Sequence, residues 1–311
     1  MATPHHPDAE KPASGPPQRR AYEGGGVRPV ALVTGAARRI GRVIALELAH
    51  AGFDVALHHR AGDARSLAEA EATAGELRAA GARVQRFAAD FADPAATAAL
   101  LPAVAQAFGR VDAVVNSASR FEYDSPATFD AALLESLVRS NTGAPVALAQ
   151  ALAAQVPAQA RHARVTPCVV NLLDQKLHNP NPDYFSYTLT KAALAHATVL
   201  LAQALAPAVR VCGVSPGITL VSGPMDENEF AKAHKLTALG RSSTPEDIAR
   251  AVRFLVESPA ITGVDLAVDG GQHLVGQSRD VLFLARDAAP LPAPVAASVA
   301  AREGEPGSAR P

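Results

Sequence analysis

In YFSYTLTK, Tyr187 and Lys191 stand four residues apart within helical patterning, so their side chains share one face. An ammonium held near a phenol stabilises the phenolate and lowers a pKa that is otherwise about 10, which makes Tyr187 a proton donor near neutrality. A surface pair without chemistry is the competing reading. VTGAARRIG, Val33 to Gly41, puts Gly35 at the end of an apolar run and Gly41 one turn into the helix that follows. Such a turn aims free helix N–H groups at a pyrophosphate, although a protein that binds nothing needs the same glycines for a tight crossing. LHHRAGD ends the second apolar run with His58, His59 and Arg60, where enzymes that prefer NAD carry a carboxylate for the ribose hydroxyls. A guanidinium binds a 2′-phosphate through charge-assisted hydrogen bonds, so NADPH is the expected cofactor; a solvated basic loop is the alternative.

These groups are far apart in sequence and need a scaffold that gathers strand ends at one edge. Seven apolar runs, at Val30–Thr34, Asp54–His59, Arg83–Ala89, Asp112–Ser117, Cys168–Leu173, Arg210–Ser215 and Asp265–Gly271, alternate with Ala/Leu-rich helical stretches. Continuous apolar runs suit strands covered on both faces. The pattern predicts an α/β fold, a Rossmann-like, doubly wound, seven-stranded parallel sheet with helices on both faces. Ligands of such sheets lie at the carboxyl ends of the strands, just after each run.

With 311 residues, 48% of them hydrophobic, the chain can bury a full-sized core. Residues 1–28 and 287–311 are rich in Pro, Gly, Ala and charge, which predicts disordered tails around a reductase domain at 29–286. His5 and His6 lie in the first tail and are read as solvated. A net charge of −1 offers no field for nucleic acid or a membrane surface. No stretch approaches the roughly 20 apolar residues of a membrane span, and the N-terminus lacks the apolar centre of a signal peptide. Cys168 and Cys212 fall within strand-like runs and read as reduced core thiols, with no metal set and a cytoplasmic location.

From Val30 to about Leu274 the chain resembles the short-chain dehydrogenase/reductase family. The motifs are TGAARRIG, Asp90 after the third run, NSAS (Asn116 to Ser119), Asn141, Tyr187 with Lys191, SPG (Ser215 to Gly217) and DGG (Asp269 to Gly271). The resemblance implies that Gly35, Arg38, Arg39, Ile40 and Gly41 form the phosphate turn. It places Asp90 and Phe91 at the adenine and Asn116 and Ala118 along the cofactor channel. Pro216 and Gly217 would flank the nicotinamide, Lys191 would hold the ribose, and Asn141 would support a proton relay through Lys191. Ser117, where the family often has a second asparagine, departs from the pattern.

Three further departures occur together. Arg39 and Ser119 stand where most members have glycine, and Asp174 stands where most have the catalytic serine. The resemblance is therefore to the pteridine reductase branch. It implies that Arg39 and Ser119 meet both cofactor and pterin and that Phe121 stacks on the pterin opposite the nicotinamide. Arg38 is left open between a contact and a solvent-facing side chain. The implied activity is NADPH-dependent reduction of pteridines of the dihydrobiopterin, dihydromonapterin or dihydrofolate type. A pterin C=N bond needs a proton on nitrogen, which a carboxylic acid can supply, so Asp174 beside Tyr187 could do this directly or through water. A loop aspartate capping a turn is the plainer reading of Asp174, and core packing that of Phe121. A general carbonyl reductase and a non-catalytic nucleotide-sensing module are the alternative functions. KAALAHATVLLAQALA, apolar or small nearly all round, predicts a helix that meets a second subunit, as in the homotetramers common in the family, or a covering segment of its own chain. The stretch after Gly217 resembles the family's variable substrate loop.

Overall fold

A computed structural model describes residues 28–156, 166–221 and 225–287. The expected tails lie outside the described residues, except for Arg28, which donates to the Phe53 carbonyl at 3.1 Å, and Asp287. The strands are β1 (Val30–Val33), β2 (Asp54–Arg60), β3 (Val84–Ala89), β4 (Ala113–Asn116), β5 (Cys168–Leu172), β6 (Arg210–Pro216) and β7 (Asp265–Val268). All neighbours pair in parallel, in the order β3-β2-β1-β4-β5-β6-β7. The helices are α1 (Arg39–His50), α2 (Ala64–Ala79), α3 (Pro94–Phe108), α4 (Ala131–Val138), α5 (Ala144–Gln155), α6 (Phe185–Leu205), α7 (Glu227–Ala233), α8 (Pro245–Glu257) and α9 (Val281–Asp287).

VALV forms the central strand because it is apolar on both faces and buried throughout. Ala31 and Val33 meet Ile44 and Leu48 of α1, Leu77 of α2 and Ile248 and Val252 of α8. Val30 and Leu32 face the other way, toward Leu101 and Val104 of α3, Leu148 and Leu152 of α5 and Ala202 of α6. Each such Leu or Ile contributes about 1.5–3 kcal/mol by leaving water. Asp63, Asp93, Asp130, Asp226 and Thr244 cap α2, α3, α4, α7 and α8 by accepting from first-turn N–H groups. No side chain caps α1. On α6, Tyr187, Lys191, Leu194, Thr198 and Ala202 are buried together, while Leu189, Val199 and Leu200 are exposed.

The sheet is wound outward from β1 in both directions, which opens a crevice at the carboxyl ends between β1 and β4. Cys168 and Cys212 are free and buried. Among the described residues no helix is long and apolar enough to cross a membrane.

Candidate active site

A cleft of about 690 Å³ follows those strand ends and is lined by residues from Gly35 to Leu282. Its first half is built on the turn after β1. Gly35 has φ +64, and a Cβ there would lie 2.9 Å from the Ala118 Cα. A Cβ at Gly41 would lie 2.4 Å from the Gly35 carbonyl oxygen, so α1 can start against the turn only with glycine at this position. The uncapped N–H groups of α1 are left for a ligand, and Ile40, Gly41 and Ala118 line the cleft beside them.

The two arginines behave differently. Arg38 is extended at φ −155, with its Nε 3.5 Å from Glu69 on α2. Arg39 takes φ +55, a left-handed conformation that costs a side-chain-bearing residue on the order of 1 kcal/mol, and its guanidinium donates to the Val221 carbonyl at 2.9 Å. Arg39 thus joins the phosphate turn to the loop that follows β6. Burial, and then Arg38, lower its pKa from the ordinary value.

At the end of β2, His58 is structural. Its Nδ1 accepts from the Gly35 N–H at 3.1 Å, Nε2 donates to the Ala89 carbonyl at 3.2 Å, and the ring stacks on Phe91 at 4.5 Å. Burial lowers its pKa to about 4, so this imidazole is neutral and supports the turn from the cleft wall. His59 lines the cleft, with its Nδ1 3.2 Å from the Arg60 carbonyl. Arg60 is exposed, and its Nε donates to Asp90 at 3.2 Å. The Ala92 N–H foremost, with help from Arg60, holds the Asp90 carboxyl below its usual range. The Arg60 N–H donates to the Ser66 hydroxyl oxygen at 3.2 Å, which leaves the hydroxyl proton for another acceptor.

The second half holds the proton chemistry. Tyr187 Oη donates to Asp174 Oδ2 at 2.9 Å. Asp174 also accepts the Lys176 N–H at 2.9 Å and caps the short helical turn Gln175–Leu177, so the turn-capping reading and the chemical one hold together. Burial raises the Asp174 carboxyl, which keeps a proton on it to higher pH. Burial, with the Asp174 charge, pushes the Tyr187 phenol well above its ordinary value. This corrects the expectation that Lys191 lowers it. The Lys191 ammonium donates to the Leu172 carbonyl at 2.7 Å and sits 5.6 Å from the Tyr187 ring centroid, and burial lowers its own pKa to about 8.

Asn141 lies in a π-helical turn, Arg139–Gly143, between α4 and α5. Its amide donates to the Arg120 carbonyl at 2.9 Å and Thr190 Oγ1 at 3.1 Å, and accepts from the Arg120 N–H at 2.8 Å and the Ser119 hydroxyl at 3.3 Å. With its donors used, this side chain clamps the loop that carries Ser119 and Phe121. Asn116 also turns away from its expected place. It donates to Asn171 at 2.8 Å, and Asn171 donates to Thr198 at 2.9 Å, a buried ladder between β4, β5 and α6. Phe121 is 42% exposed, stacked on Tyr184 at 4.1 Å and edge-on to Tyr187 at 4.7 Å, which excludes ordinary core packing. Pro216 and Gly217 line the cleft at the end of β6, where a Cβ on Gly217 would lie 2.4 Å from Ser242 Oγ.

Tyr184, Lys176 and the segment 280–282 also line this half. None stands in a motif. Lys176 lies two residues beyond Asp174 and is buried, which only the folded chain reveals.

Residues 35–273 match a family model described as enoyl-(acyl carrier protein) reductase. FolM alternative dihydrofolate reductase 1 from Brucella suis, solved in complex with NADP, is 37% identical with a TM-score of 0.74, covering 81% of this chain and 98% of that one. An uncharacterized oxidoreductase of Mycobacterium tuberculosis is 35% identical over 249 residues, 78% of this chain and 91% of its own. Pteridine reductase 1 of Leishmania tarentolae is 33% identical over 289 residues, covering 79% of this chain and 96% of its own.

Proposed function

The chain belongs to the short-chain dehydrogenase/reductase family, and we propose that it is an NADPH-dependent reductase of pteridines of the dihydrobiopterin, dihydromonapterin or dihydrofolate type. The observation that carries this reading is the Tyr187–Asp174 hydrogen bond at 2.9 Å, a carboxyl group where most of the family has serine. The names of two relatives, a pteridine reductase and an alternative dihydrofolate reductase, support it.

The residues fit the cofactor. The uncapped start of α1 suits a pyrophosphate, and Arg60 with Ser66 suits a 2′-phosphate, the nearby Asp63 carboxylate being occupied in capping α2. Lys191 and Tyr187 would meet the ribose, with Pro216 and Gly217 beside the nicotinamide. When bound, NADPH supplies the hydride. Asp174, whose hold on a proton is strengthened by burial, gives a proton to the substrate ring nitrogen, and Tyr187 holds that carboxyl in place and can pass it a proton. Phe121 offers a flat ring to a flat substrate. The free thiols and the exposed stripe on α6 support a cytoplasmic homotetramer.

Absorbance of NADPH, followed with a dihydropterin, dihydrofolate and a β-keto thioester in parallel, tests the reading. Turnover of the pterins, with NADPH strongly preferred over NADH, is expected. Turnover of the thioester alone would make the protein a carbonyl reductase, and NADPH binding with no turnover of any substrate would make it a sensing module.

A further inference from the structure

The substrate half of the cleft contains a second carboxylate, and it arrives from the end of the described chain. Asp280, just before α9, lines the cleft together with Val281 and Leu282. Its position is built. Asp183, 3% exposed, takes a double hydrogen bond from Arg279 at 2.8 and 3.0 Å and accepts the Asp280 N–H at 2.8 Å. From the other side, the buried Lys176 ammonium donates to the Asp183 carbonyl, lies 3.5 Å from Asp280 Oδ2 and sits 5.5 Å from the Tyr184 ring centroid. Below, Val281, Leu282 and Ala285 pack on Met225 and on Ala233 of α7.

Lys176 connects the two carboxylates of this half. Its backbone N–H fixes Asp174 and its ammonium fixes Asp280. They differ in what remains available. Asp174 accepts from Tyr187 with one oxygen and from Lys176 with the other, in service of a proton transfer. Asp280 spends one oxygen on the Leu282 N–H at 3.1 Å, and its side chain keeps 20% of its surface exposed. A carboxylate has about four lone-pair sites, so Asp280 retains acceptor capacity. The Lys176 ammonium lies against it at 3.5 Å, and a carboxylate can only accept.

A pteridine has one edge that must be reduced and an opposite edge of amino and ring N–H donors. We infer that Asp280, delivered by the C-terminal segment and held by Lys176, accepts the amino-edge N–H groups of the substrate and so determines specificity for 2-amino pteridines. This rests on the proposed substrate class. The rest of the segment, Val281 and Leu282, supplies an apolar wall against the ring.

The test compares a dihydropterin with its 2-desamino analogue in wild type and Asp280→Asn, by steady-state kinetics and by equilibrium binding of NADPH. An amide donates as well as accepts and carries no charge. The KM for the amino-bearing substrate should rise about 10- to 100-fold, that for the desamino analogue should change little, and NADPH affinity should be unchanged. If Asp280 merely docks α9, both substrates will suffer equally or neither will, and either result overturns the inference. Val281→Ala serves as a second variant: it should weaken both substrates alike, since an apolar wall does not read the amino group. Failure of the wild type to bind or reduce either pterin would overturn the substrate class and this inference with it.

Discussion

Asp174 and Tyr187 share one hydrogen bond, yet replacing each removes different chemistry. Asp174→Asn keeps the shape and the turn cap but cannot act as a Brønsted acid, so kcat with a dihydropterin should fall about 10²- to 10⁴-fold with little change in NADPH affinity. Tyr187→Phe should lower kcat to a similar extent while leaving NADPH binding nearly intact, because the phenol offers the ribose one hydrogen bond at most. Pterin turnover that survives Asp174→Asn would remove the carboxyl from the chemistry. Arg39 presents a second contrast. At φ +55 its backbone suits glycine, so Arg39→Gly should leave stability unchanged or raise it by up to about 1 kcal/mol, as read by the unfolding midpoint. The same change deletes the link to Val221 and should weaken pterin binding more than NADPH binding, since the α1 N–H groups remain. Arg38→Gly, at an extended and exposed position paired with Glu69, should do neither. Equal ligand losses in the two variants would reduce the pair to a generic basic patch.

At the level of elements, the turn between β1 and α1 depends on β2 as much as on its own glycines. His58 receives the Gly35 N–H and must be neutral to do so. Its folded pKa of about 4 is below the unfolded value of 6.5, so the unfolded chain binds more protons between these values and stability rises with pH. The contribution is present above pH 6.5 and is lost as the pH falls toward 4, on the order of 3 kcal/mol in all. Denaturation midpoints across that window should fall more steeply in wild type than in His58→Gln; equal slopes would mean that the imidazole does not carry the linkage. LHHRAGD shows why sequence alone assigns this residue elsewhere, since a histidine reads the same whether it is solvated or inserted beneath a turn. The strands were legible because a parallel strand covered on both faces must be a continuous apolar run, and Val30–Val33 is one. Gly35, Gly41, Tyr187 and Asp174 were legible because their chemistry fixes residue type and local spacing. Tyr184, Lys176 and Asp280 were not, because they meet only in the folded chain, where the Lys176 ammonium reaches the Asp183 carbonyl and Asp280, and the Asp280 N–H bonds Asp183. Asn141 was visible as a residue but not as a clamp, since its partners lie about twenty residues back, at Ser119 and Arg120.

For the molecule as a whole, α6 sets a condition on assembly. Its inner face presents Tyr187 and Lys191 to the cleft and Leu194, Thr198 and Ala202 to the sheet, so the helix that carries the proton chemistry is fixed from within the chain. Its outer face carries Leu189, Ala193, His196 and Leu200 at helical spacing, with Leu200 64% exposed and Val199 beside it 45% exposed. Among the described residues nothing from the same chain covers Leu200, and that exposure is what the proposed subunit contact requires. Wild type should sediment as a tetramer at micromolar concentration. Leu200→Glu would bury an unpaired carboxylate in the contact and should shift the protein to smaller species. Because Tyr187 and Lys191 lie on the opposite face of the same helix, the dissociated variant should keep its NADPH affinity if the chain alone rigidifies α6, and lose it if assembly does. Sedimentation velocity combined with NADPH titration separates these outcomes, and a monomeric wild type would show that the exposed leucines serve no subunit contact.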